Sequence, residues 1–217
     1  TGLPASRQRV SSFCICASAS GLLLIDIQKG VNTFEHWGGP TGRRNNPDAE
    51  AQMQKLLTRW REAGKPVFFT RHDSREDASP LKFSLPTGEQ IDGFEPKPGE
   101  VVIEKDVNSA FVGTDMELRM RQQGVSRLVV AGFFTNFCVE TSVRMSGNMG
   151  YDTYLVHDAC ATCNRIGPDG TDYDPQLLHD VTVSNLHGEF CTALDTDTAL
   201  RISRADAPDL ERVQGNE

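Results

Sequence analysis

The sequence predicts an α/β fold with three layers, α-β-α, around a mostly parallel central sheet of about six strands. Three observations carry this. From residue 21 the chain repeats one unit: a short apolar strand, a polar loop, then an amphipathic helix. Strand-like runs such as Leu22–Ile25 and Leu128–Val130 are apolar throughout rather than alternating, as expected of strands covered on both faces. Strands separated by crossover helices pair in parallel with right-handed connections, which places helices on both sides of the sheet.

The strands expected in order are Gly21–Asp26, Val67–Thr70, Val101–Glu104, Arg127–Gly132, Thr153–Val156 and Cys191–Leu194. The first long helix is expected over Pro47–Ala63, with Asn46 as N-cap and Pro47 at N1. Met53, Leu56, Leu57 and Trp60 form its apolar stripe, and Gly64 stops it. Further helices are expected over Thr114–Gln123, Cys138–Met149 and Pro175–Leu186. Two stretches, Lys29–Asn45 and Arg71–Gly99, are too long for plain connectors and are the expected walls of a pocket beyond the strand C-termini.

At 217 residues and 38% hydrophobic, the chain suits one domain, expected over residues 21–205, with a tail at 206–217. Residues 1–20 contain Arg7 and Arg9 but no acid, are rich in Ser and Ala, and show no period. They read as a targeting remnant, an expression artefact or a disordered lead. A net charge of −8 with scattered basic residues argues against a nucleic-acid partner. No apolar run approaches the roughly 20 residues that span a bilayer, so no membrane role is expected. Six cysteines in a chain of this size do not make a disulfide scaffold. Free thiols and a cytoplasmic setting follow.

Three reactive side chains stand at strand ends. Asp26 closes GLLLID, Lys105 follows VVIE, and Cys138 lies past VVAGFFT at a helix entrance. A helix N-terminus stabilises a thiolate and can hold an oxyanion. A lysine would lower the thiol pKa further, and a carboxylate could shuttle the proton. Together these are the parts of a cysteine hydrolase. An isolated cysteine is more often a small core residue; the company of Asp26 and Lys105 argues otherwise.

In LLLIDIQ, in the long segment VIEKDVNSAFVGTDMELRMRQQGVSRLVVAGFFTNFCVETSVRMSGNMGYDTYLVHDA and in LHGEF, the chain resembles the isochorismatase-like cysteine hydrolases across residues 21–195. That group includes nicotinamidases, N-carbamoyl amide hydrolases and ureidoacrylate hydrolases. The resemblance implies Asp26 as proton acceptor, Lys105 as electrostatic partner and Cys138 as nucleophile. It also implies a non-proline cis peptide at Phe133–Phe134 and an oxyanion hole from the N–H groups of Phe134 and Cys138. It implies a small amide-like substrate and assembly as a homo-oligomer, dimer or larger.

The chain departs from its nicotinamidase relatives where those bind a metal through an Asp-x-His pair. Here the residues are Arg71, His72 and Asp73, so no metal and no other cofactor is expected, and His72 reads as a surface or loop histidine. Arg71 either holds a substrate anion or pairs with a loop carboxylate. Phe34, His36 and Trp37 either close over the substrate or pack at a subunit interface. With Asn108 as a polar contact, and with Phe111 and Phe137, a residue type more often core than pocket, they complete a pocket expected to be small and mainly apolar. Three other readings compete: vinyl-ether hydrolysis of an isochorismate-like substrate, a silent binding protein on the same fold, and thiol redox chemistry at Cys160 and Cys163. The last rests on a single CxxC, which is weak.

Overall fold

The structure, a computed structural model, describes residues 19–203. Strand β1 runs over Ala19–Ile25 in the middle of the sheet, hydrogen-bonded in parallel to β2 (Val67–His72) on one side and β4 (Val125–Phe133) on the other. That position explains its sequence: Leu22, Leu23, Leu24 and Ile25 all have 0% exposure because both faces are covered. Burying each such side chain contributes about 1.5–3 kcal/mol. β1 begins at Ala19, so the last two residues assigned to the lead belong to the strand. The rest of that lead and the expected tail lie outside the described residues.

The main sheet has six strands, all parallel, in the order β3-β2-β1-β4-β5-β8, with β3 at Val101–Lys105, β5 at Asp152–Ala161 and β8 at Thr192–Leu194. From β1 the chain builds outward to β2 and β3, then returns to place β4, β5 and β8 on the other side. The reversal falls between β1 and β4, which opens a crevice at their C-termini. Asp26 follows β1 and Cys138 follows β4 at that crevice.

The helices are α1 (Phe34–Gly38), α2 (Ala49–Glu62), α3 (Met116–Gln122), α4 (Glu140–Asn148), α5 (Pro175–Leu186) and α6 (Thr196–Ile202). In α2 the stripe Met53, Leu56, Leu57 and Trp60 is wholly buried, as 3.6-residue spacing requires. Its start differs from expectation. Asn46 has φ of 42° and donates from Nδ2 to the carbonyls of His157 (3.2 Å) and Cys160 (2.7 Å), so it ties the loop to β5 and Asp48 takes the N-cap position. In α5 the Asp174 carboxylate caps the N-H groups of Gln176 and Leu177, with Pro175 at N1.

Several elements were not foreseen. The loop after β1 holds a 3₁₀ turn at Lys29–Asn32 and α1. β5 runs five residues past the expected Val156, so Asp158, Cys160 and Ala161 are strand residues, and a short antiparallel hairpin follows, β6 (Arg165–Ile166) and β7 (Asp172–Tyr173). Asp158 accepts bonds from the N–H (2.9 Å) and hydroxyl (2.8 Å) of Thr196 and so ties β5 to the first turn of α6, whose N-cap is Asp195. The loop after β1 is clamped to the hairpin by Asn164, which donates to Gly38 O (3.0 Å) and Asp172 Oδ1 (2.7 Å) and accepts from Arg43 N–H (3.0 Å).

One glycine fixes the crevice. Gly132 pairs with Ile25, has φ of 135°, and a Cβ there would collide with the Ile25 carbonyl oxygen. Gly132→Ala combines a disfavoured φ with a backbone clash and is expected to destabilise by about 3 kcal/mol or more. Urea denaturation checks this, and an unchanged midpoint would refute it.

Candidate active site

β1 delivers Asp26 in the left-handed region, φ 54°, a conformation asparagine and aspartate tolerate better than most residues. Thr70, at the C-terminal half of β2, fixes it twice: the Asp26 N–H donates to Thr70 Oγ1 (3.1 Å) and the Thr70 hydroxyl donates to Asp26 Oδ1 (2.6 Å). Lys105, the last residue of β3, reaches across β2 to donate to Asp26 Oδ2 (2.8 Å) and Val107 O (3.1 Å). The side chains of this pair are 0% and 2% exposed.

β4 ends at Phe133, the Phe133–Phe134 peptide is cis, and a π-helical turn, Thr135–Val139, leads into α4. Cys138 therefore sits in a wide turn rather than at the first position of an α-helix. The turn is anchored from two sides. Thr135 Oγ1 and His179 Nδ1 are 2.9 Å apart, and the Thr162 hydroxyl donates to Asn136 Oδ1 at 2.5 Å.

His72 corrects the surface-loop expectation. It is buried at the end of β2, and its Nδ1 is 3.6 Å from Cys138 Sγ and 3.6 Å from Asp26 Oδ2. Gln28, itself fully buried, holds it through its Oε1, which accepts the His72 N–H (2.7 Å), and its Nε2, which donates to His72 O (3.1 Å). Strand parity carries the signal that the sequence reading passed over. Thr70 and His72 share one face of β2, and Arg71 must point to the other. There Arg71 lies over the Phe83 ring (4.3 Å to centroid) and pairs with Glu104 at 3.6 Å, its neighbour in the β2–β3 register.

A cavity of about 300 Å³ opens on Cys138, and Asp26, His36, Trp37, His72, Asn108, Phe134 and Phe137 line it. Trp37 donates its Nε1–H to Gly30 O (2.9 Å) and packs on Phe134. Three expected pocket residues stand elsewhere. Arg71 faces away as described, Phe34 lies under Arg44, and Phe111 packs against the core. The lining is also more polar than expected, because Ser74, Glu76, Ser79 and Arg165 contribute to it. Arg165 lies over Phe137 (5.1 Å) and donates to Trp37 O (2.7 Å). It escaped the sequence reading because the hairpin that presents it was not foreseen.

Burial acts to raise the Asp26 pKa, but the Lys105 charge and the His72 contact outweigh it and hold the carboxyl well below the usual range. Burial acts to lower Lys105, yet Asp26 and Cys138 hold it above its ordinary value. For Cys138, burial and then the Asp26 charge push the thiol up, against a smaller opposing effect of Lys105. The Lys105 effect has the expected sign, but burial and Asp26 outweigh it. Asp26, His72 and Cys138 place donor atoms within 4.8 Å of one another. A dication there would face the Lys105 ammonium already bound to Asp26. Cys160 and Cys163 are free, buried thiols, and burial pushes Cys163 up to about 11, which disfavours a reactive thiolate.

His179, which anchors the turn, is pushed down to about 4, first by burial and then by His157, against an opposing effect of Asp180. A histidine with a folded pKa below its unfolded value of about 6.5 supports folding above that value. Stability should therefore fall as pH drops from about 6.5 to 4, and His179→Gln should flatten that slope in denaturation curves recorded across the window. An equal slope in both proteins would refute this.

Comparison with known proteins identifies the family. The family model described as Isochorismatase domain matches residues 20–196. An isochorismatase family protein of Bacillus subtilis, YrdC, is 37% identical over 182 residues, covering 81% of this chain and 91% of that one. Nicotinamidase 3 of Arabidopsis thaliana is 31% identical over 203 residues, covering 84% and 87%. An isochorismatase-family crystal structure from Chromobacterium violaceum superposes with a TM-score of 0.78 at 37% identity, covering 93% of this chain and 98% of that one. The chain belongs to the isochorismatase family of hydrolases.

Proposed function

We propose that the protein hydrolyses a carbon–nitrogen bond of a small amide, carbamoyl or ureido compound through a thioester on Cys138. The observation that carries this is the buried Cys138 sulfur facing a cavity beside the Asp26–Lys105 pair. The likeness to a nicotinamidase supports the amide class. The Cys138 sulfur attacks the carbonyl carbon as its proton passes to Asp26. The tetrahedral oxyanion is received by the N–H groups of Phe134 and Cys138, each typically worth ~10²–10³ in rate. Asp26 returns the proton to the leaving nitrogen, the C–N bond breaks, and a thioester remains. Water, giving its proton to Asp26, then releases the acid and restores the thiol. No metal or other cofactor enters this cycle.

A screen of nicotinamide, N-carbamoyl acids, ureido compounds and cyclic amides, run beside Cys138→Ala, tests the reading; turnover that survives in the variant overturns it. Arg165 takes over the anion-holding role first considered for Arg71. A charge-assisted hydrogen bond is worth about 1.5–3 kcal/mol. Arg165→Ala is therefore expected to raise KM for N-carbamoyl acids about tenfold more than KM for neutral nicotinamide. Equal changes for both would remove that role.

A further inference from the structure

The proposed cycle leaves a gap at its first step. Asp26 is engaged at both oxygens, by the Thr70 hydroxyl and by the Lys105 ammonium. A carboxylate so stabilised as an anion is a weak base, and burial and the Asp26 charge push the Cys138 thiol up. Asp26 also meets the Cys138 thiol directly, and a third group touches both. A single nitrogen, His72 Nδ1, is 3.6 Å from the sulfur and 3.6 Å from Asp26 Oδ2, and the His72 side chain is only 10% exposed. Gln28 fixes the backbone of His72 on both sides, so the placement is built rather than incidental.

We propose that His72 is a catalytic residue that carries the Cys138 proton to Asp26. This rests on Cys138 being the nucleophile. In the tautomer with the ring proton on Nε2, which exchanges with the one that donates Nδ1–H to Asp26, the Nδ1 lone pair faces the sulfur. As the sulfur attacks, the S–H bond breaks and an Nδ1–H bond forms. The imidazolium so produced is stabilised by the Asp26 carboxylate against it, and the same Nδ1 passes the proton on through Asp26 as the leaving nitrogen takes it, so the ring need not turn. Asp26 then protonates the leaving nitrogen, and the path reverses when water attacks the thioester. The gain is a positioned proton acceptor and donor at the step in which the S–H bond breaks, of the kind that contributes ~10²–10⁴ in rate. The other charged groups facing the cavity are Glu76, with His36 3.9 Å from it, and Arg165. None of these contacts the sulfur.

The test needs no knowledge of the substrate. Iodoacetamide at pH 7 alkylates a cysteine at a rate set by how readily its proton leaves, and peptide mass spectrometry locates the product. Wild type, His72→Gln and His72→Ala are compared, the last with and without added imidazole, with thermal melts confirming folding. The expected result is alkylation of Cys138 at least tenfold slower in both variants, with imidazole restoring the rate of His72→Ala in proportion to its concentration. Rates within twofold of wild type, or a loss that imidazole does not restore, overturn the role of His72 while leaving Cys138 as nucleophile. If His72→Ala does not fold, His72→Gln alone decides by the same tenfold criterion. A wild-type Cys138 no faster than Cys160, Cys163 or Cys191 overturns both readings together.

Discussion

Cys138→Ala is expected to lower turnover by ~10⁴-fold or more while leaving the fold intact. Removing the nucleophile of a covalent mechanism forfeits the path itself rather than one contact within it, which is why such losses exceed those of single oxyanion donors. The side chain is 6% exposed and small, so its truncation leaves little cavity. The melting temperature should therefore stay near that of wild type even as activity vanishes. Rapid acid quench of wild type with a slow substrate should leave an adduct on the Cys138 peptide that is absent from the variant. Vinyl-ether hydrolysis, which requires no thiol nucleophile, predicts the opposite on both counts. So does a silent binding protein, in which no adduct forms.

Lys105→Met is expected to cost about 3–5 kcal/mol of stability, the usual consequence of leaving one member of a buried ion pair uncompensated. Asp26 would keep the Thr70 hydroxyl but lose the ammonium bound to its other oxygen. The double variant Asp26→Asn with Lys105→Met should recover part of the loss, because no unpaired charge remains. The pH dependence supplies an independent sign. In wild type the Asp26 pKa is depressed, so the pair supports folding above the unfolded carboxyl value of about 3.9 and that support is lost as pH falls toward the folded value. Without Lys105, burial is opposed by the His72 contact and the Thr70 hydroxyl alone, and the Asp26 pKa rises relative to wild type. The variant should then gain stability relative to wild type as pH falls through that raised value. Chemical denaturation of the three proteins between pH 4 and 8 checks both effects. A single variant as stable as wild type would show that the pair carries no such burden.

The order of elements was readable because both periodicities involved are local. The four-residue apolar run of β1 announces a strand covered on both faces, and the Met53, Leu56, Leu57, Trp60 spacing announces a helix with one buried stripe. Helix starts were less legible. Asn46 looks like an N-cap in sequence, but its side chain is drawn away by carbonyls of β5, more than a hundred residues on. No local pattern contains that competition. The resemblance supplied the roles of Asp26, Lys105 and Cys138. The parallel strand order then explains how residues so far apart in the chain meet at one crevice.

By itself the sequence determined the α/β class, the strand sequence and the three residues at strand ends, since these follow from hydrophobic period and from side chains carried in single short segments. Only the tertiary structure decided the side on which each loop residue stands. It turned His72 into the site and Arg71 onto Phe83 and Glu104, brought Arg165 in on a two-strand hairpin, and kept Phe34 and Phe111 out of the cavity lining. It also set burial and Asp26 against Lys105 at the Cys138 thiol. The physical reason is the same for each: facing, burial and electrostatic balance are sums over neighbours from different strands, and those neighbours exist only once the sheet has formed.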